Sequence, residues 1–130
     1  MSLRRSSWVL LILLALPSLA SDKKKLKDAL AAVDANLKTP SGKRYDEAMS
    51  KEFPEKHVDG IRQCKQSVGG KAPAPFDMFL KLDNAGKVNQ VLVYPETPMA
   101  LCSGDALLGE TFSPPPHADY WLNIHMEFRK

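Results

Sequence analysis

The sequence predicts an α+β domain in which N-terminal helices precede a small antiparallel sheet ordered strand, strand, helix, strand. Three observations carry that prediction. Apolar residues recur at helical spacing through the first half: Leu26, Leu30, Val33 and Leu37, then Tyr45, Ala48, Met49 and Phe53, then Val58, Ile61, Cys64 and Val68. Beyond Pro75 the period changes to two: Phe76, Met78, Leu80 and Leu82 share one side, with Asp77 and Lys81 opposite and Phe79 breaking the alternation. The same period returns at Tyr120, Leu122, Ile124, Met126 and Phe128.

The extreme N-terminus reads as a secretory signal. Arg4 and Arg5 precede the apolar run Trp8 to Leu16, and Ser18-Leu19-Ala20 places small residues at both positions a signal peptidase inspects. Cleavage after Ala20 is expected, giving a periplasmic or secreted chain that begins at Ser21 and keeps no stable membrane span. The run is interrupted by Pro17 and is short for a hydrocarbon core of about 30 Å. Removing it takes two arginines and no acid, so Lys+Arg falls from 18 to 16 against 15 Asp+Glu, a formal charge of +1. That balance lacks the electrostatic footprint of a nucleic-acid binder. The basic cluster Lys23, Lys24, Lys25 and Lys27 reads as a solvated helix start.

An exported chain with two cysteines, Cys64 and Cys102, reads first as one disulfide. A reactive thiol pair and half of a metal site are the competing readings, and the wide spacing suits neither a redox motif nor a compact metal motif. The closed loop would contribute about 4 kcal/mol through lost chain entropy.

Taken in order, the first helix runs from Asp22 and is ended by Thr39-Pro40-Ser41-Gly42. A short second helix stops before Pro54, which then suits the first turn of a third. The third helix points Cys64 inward despite Gly60, which costs about 1 kcal/mol relative to alanine. Val68 to Pro75 is linker-like, dividing a helical region at 21–68 from a sheet unit at 69–130 within one compact domain. Asp83-Asn84-Ala85-Gly86-Lys87 supplies hairpin turn chemistry, and Val88 to Tyr94 forms the second strand. Thr97 then caps a helix with Pro98 in its first position. Its apolar stripe is read as Leu101, Cys102, Leu108 and Phe112, interrupted by Asp105, and Gly104 and Gly109 weaken it. Pro114-Pro115-Pro116 forces an extended connector before the last strand, Asp119 to Phe128.

Strand, Asp-Asn-Ala-Gly-Lys turn, strand, helix, Phe-Ser-Pro-Pro-Pro and strand together resemble the TonB C-terminal domain family. The cysteine placement, one before the first strand and one in the helix, is similar to the two-cysteine TonB-like domains of gliding-motility proteins of the AgmX/PglI type. The resemblance covers about half of the chain after residue 20. It implies a small antiparallel sheet with a helix on one face, and periplasmic binding of an extended segment of an outer-membrane or other envelope protein by strand addition. The sequence departs from the family in lacking a histidine in its hydrophobic N-terminal segment and a long Pro-rich stretch, and in adding a helical region over 22–68. The resemblance therefore implies the module, not energy transduction.

Reactive chemistry is thin, and the chain is read as non-catalytic, with no cofactor and no metal. His57, His117 and His125 lack paired metal spacing; Asp59, Asp105 and Asp119 imply no carboxylate pair; Ser103 has no base placed by motif. Trp121, Asn123 and His125 share the outward phase of the last strand. They are the candidate binding residues, unless the N-terminal helices cover that face. Two function classes follow. One is a module that binds a partner segment along an open strand edge. The other is a structural or assembly protein using Leu26, Leu30, Val33 and Leu37 as an interface, including with a second copy.

Overall fold

A computed structural model describes residues 19–68 and 72–129. The expected signal segment and its cleavage region lie largely outside the described residues, as does the Gly69-Gly70-Lys71 part of the linker. The element order is α1 (Leu19–Leu37), α2 (Pro40–Lys56), α3 (Asp59–Val68), β1 (Phe76–Leu82), β2 (Val88–Tyr94), α4 (Pro98–Leu107) and β3 (Tyr120–Met126). This is the α+β arrangement of the sequence reading, with one antiparallel sheet in the order β2-β1-β3.

Local chemistry moves three boundaries. Thr39-Pro40-Ser41-Gly42 starts α2 instead of merely ending α1, because the Thr39 hydroxyl accepts from the Gly42 N–H at 3.0 Å and Pro40 occupies the first turn. Gly42 is required at this corner, since a Cβ there would lie 1.8 Å from the Asn36 carbonyl oxygen. Pro54 lies inside α2, which continues to Lys56 and closes with the His57 N–H donating to Phe53 at 3.0 Å. A proline this near a helix end costs one backbone bond and no more of the helix. The stripe assigned to α4 is also corrected. Leu101 and Leu108 are 48% and 53% exposed, while Met99, Ala100, Ser103, Gly104 and Leu107 form the buried face; the helix ends at Leu107 with Phe112 buried beyond it. The small residues Ala100, Ser103 and Gly104 let the helix backbone approach the sheet, Gly104 against the Val91 and Val93 methyls, while Met99 and Leu107 fill the core on either side.

The sheet is covered on both faces. The even-numbered side chains of β1 join Val88, Met99, Ala100, Leu107, Tyr120 and Leu122, with Tyr45, Met49 and Phe53 of α2 and Ile61 and Cys64 of α3, in the main core. On the other face Phe79 is only 3% exposed, packed with Ala29 and Val33 of α1 and flanked by Leu26, Leu92 and Trp121. Phe79 breaks the strand's alternation because α1 needs an apolar seat there. The disulfide Cys64–Cys102 joins α3 to α4, with Cα atoms 5.8 Å apart. Gly60 of α3 faces Ala106 of α4 beside it.

Candidate functional site

Hydrogen-bond phase decides which backbone groups the sheet leaves open. The Asp83 N–H donates to the Lys87 carbonyl at 2.9 Å, so odd-numbered positions of β1 direct their backbone groups toward β2 and even-numbered ones toward β3. Met78 pairs with Ile124 and Leu80 with Leu122. Trp121, Asn123 and His125 therefore direct their N–H and C=O groups away from the sheet, along its open margin. The Asn36 side-chain amide donates to the Trp121 carbonyl at 3.2 Å, as that phase requires. This leaves the backbone of Asn123 and His125 unpaired within the ladder.

The β3 margin is the floor of a groove of about 590 Å³. Its walls come from opposite faces of the sheet: Leu30, Val33 and Leu37 from α1, and Met49, Phe53 and Pro54 from α2, with Leu122 to His125 between them. Leu30 and Leu37 are 46% and 36% exposed, and Asp34 and Asp46 supply one carboxylate from each wall. An incoming strand would lie about 4.8 Å from β3.

The three sequence-predicted binding residues are in one row but in different environments. Trp121 is half-buried against the α1 cluster. Asn123 is half-buried and lines the groove. His125 is exposed, its Nδ1 3.0 Å from Asp77 Oδ1 and its Nε2 3.0 Å from Glu127 Oε1. Hydrogen bonding to Glu127, then to Asp77, raises its pKa above the usual 6.5.

A polar cluster that the sequence reading missed fixes the α2 wall. The Glu52 carboxylate accepts from the Ser113 hydroxyl and, at 3.1 Å, from the Ser113 N–H. His57 Nε2 lies 3.5 Å from the same carboxylate, while His57 Nδ1 is 3.1 Å from Glu110 and its ring stacks on Phe112. The Tyr45 hydroxyl donates to the Ser113 carbonyl at 2.7 Å. Burial pushes the Glu52 carboxyl up, but the Ser113 and His57 contacts outweigh it and hold the pKa below the usual value. Burial, with Glu52 and Tyr120 nearby, raises the Tyr45 phenol far above its ordinary range. No sequence spacing joins Glu52, His57 and Glu110; only the packing of α2 against the α4–β3 connector does. The Ser113 hydroxyl meets Glu52 and not His57, so the cluster lacks the histidine-to-hydroxyl contact of an activated nucleophile. It ties two segments together.

Ser103 is fully buried on α4, and its hydroxyl has no hydrogen-bond partner among the described residues. Among the described residues, no group of three or more His, Cys, Asp or Glu side chains could hold a metal ion, and no helix is long and apolar enough to cross a membrane. No family model, curated protein or solved structure matches the chain.

Proposed function

We propose that the protein is a non-catalytic, exported binding module of TonB-like type that captures an extended segment of a cell-envelope protein as a fourth strand beside β3. The observation that carries this reading is the outward backbone of Asn123 and His125 on the floor of an apolar groove open between α1 and α2. Main-chain hydrogen bonds would supply affinity, and the walls would select alternate side chains. The Cys64–Cys102 disulfide supports an oxidising compartment.

The Asn123 N–H faces away from β1, so Asn123→Pro removes a donor to the incoming strand and leaves the β1 ladder its bonds. Partner capture should fall about tenfold or more, through one lost bond and the ring's bulk. The readout is photocrosslinking from a probe at Leu30 or Leu37, mapped to one segment of one envelope protein, with circular dichroism monitoring the fold. Undiminished capture by the folded proline variant would remove the β3 edge from the mechanism.

The partial exposure of Leu30 and Leu37 also favours a second reading, an assembly protein that associates through α1. Light scattering separates the two: association that Leu30→Ser with Leu37→Ser abolishes supports assembly, and a strict monomer leaves the groove to a partner segment.

A further inference from the structure

The opposite margin of the sheet is also open, and its surroundings differ. β1 pairs with Leu92 and Tyr94 through its β2-facing positions, so Val91 and Val93 direct their N–H and C=O groups away from the sheet. Residues 109–111 cover the start of this edge: the Val88 N–H donates to Glu110 and the Gly109 N–H to Val88, both at 2.9 Å. Pro95 follows its end. Between these stops the edge offers four backbone groups.

We infer that this edge of β2 is a second peptide-binding site, taking a short extended apolar segment that carries a central lysine or arginine. The side chains of Val91 and Val93 and the backbone at Gly104 floor a cleft of about 90 Å³, which Leu101, Asp105 and Leu108 border. Leu101 and Asp105 lie one turn apart on α4, and Leu108, the residue that caps its end, continues the same stripe. That stripe faces the open edge and not the core, which is why both leucines are about half exposed. A strand paired with Val91 and Val93 lays every second side chain over it. Apolar side chains then meet Leu101 and Leu108, and the one between them meets Asp105, which has no ion-pair partner among the described residues. A lysine or arginine suits that position, because its stem covers the leucines while its head reaches the carboxylate.

Charge disfavours a second copy as the occupant. A two-fold axis that sets Val91 against Val93 passes beside Leu92, and it brings both Asp105 carboxylates toward one another, since Asp105 borders the same cleft as those valines.

The test uses the disulfide-intact, isotope-labelled protein and two synthetic probes, acetyl-Val-Thr-Lys-Thr-Val-amide and its Glu counterpart, at up to millimolar concentration. The Lys probe should shift the Val91 and Val93 amide resonances and bind about threefold more tightly than the Glu probe, the scale of an exposed ion pair. Asp105→Lys should reverse that preference, Val93→Pro should abolish binding, and Asn123→Pro should leave it intact. Equal affinity of the two probes overturns the inference, as does no binding, perturbation confined to Asn123 and His125, or a peptide-free dimer that protects Val91 and Val93. Shifts at Asn123 and His125 and the Asn123→Pro result report on the β3 edge, and those at Val91, Val93 and Asp105 on the β2 edge, so the two sites can fail separately.

Discussion

His125 and Glu52 report on opposite sides of the pH scale. His125 lies between Glu127 and Asp77, whose hydrogen bonds raise its folded pKa. Its contribution is therefore fully present below pH 6.5 and is lost as pH rises through the higher folded value. Ring-proton titration by NMR should place His125 above the free-histidine value, and His125→Asn should flatten the loss of melting temperature on the alkaline side; a midpoint below 6.5 contradicts the bridge. Glu52 has a depressed folded pKa, so its contribution is present above 4.5 and lost as pH falls through the lower value. Glu52→Gln should destabilise by about 1–3 kcal/mol at neutral pH, since Ser113 and His57 lose a charged acceptor. Chemical denaturation measures it, and a neutral variant would mean that Glu52 does not secure the wall. The row Trp121, Asn123 and His125 was legible from strand alternation alone. Its backbone phase was not, because it depends on which neighbour β1 bonds at each position, and the polar cluster was not, because Glu110 and Ser113 reach His57 and Glu52 across separations of 53 and 61 residues.

Among the elements, the strands were the most legible, because a half-buried strand writes its burial directly as period two and the Asp83–Gly86 turn fixes the hairpin. Helices that meet through small residues write a weaker signal. Gly60 and Gly104 look like defects in α3 and α4, yet each is a point of close approach. A Cβ on Gly60 would lie 2.9 Å from Ala106 Cβ, and one on Gly104 would lie 3.1 and 3.2 Å from Val93 and Val91 methyls. Gly60→Ala should therefore destabilise by about 1 kcal/mol net, its helix-propensity gain of about 1 kcal/mol being outweighed by overpacking of about 1–3 kcal/mol. Adding Ala106→Gly should recover part of the loss in a double-mutant cycle. Additive effects in thermal melts would show that the two helices do not meet there. The same small-residue packing explains why counting leucines put the wrong stripe of α4 inward.

For the whole molecule, α1 is decisive. A three-stranded sheet with helices on one face would expose Phe79, Leu92 and Trp121; α1 covers them, reaches β3 through Asn36 and Trp121, and leaves the β3 margin recessed between two helices. The helix and its apolar stripe were legible in the sequence. That it splits its leucines between the sheet and the groove was not, since Val33 and Leu30 are equivalent in periodicity and differ only in what lies beside them. The disulfide was also legible, from the signal-like N-terminal pattern and the cysteine number. Replacing both Cys64 and Cys102 with alanine should lower stability by about 4 kcal/mol in chemical denaturation, the loop-closure entropy of their 38-residue separation; a loss under 1 kcal/mol would assign the α3–α4 contact to packing alone.

That covalent tie has a mechanical meaning for any pull applied across the domain. β1 and β2 lie wholly inside the loop it closes, whereas α1, α2 and β3 lie outside. Tension entering through α1 and leaving past β3 crosses from α3 to α4 through sulfur, so the hairpin can be stripped of its neighbours but never drawn out. The slack withheld is about 120–130 Å, the extended reach of the bridged segment. Under load the protein is a short line with a protected knot, and reduction is what would let it lengthen.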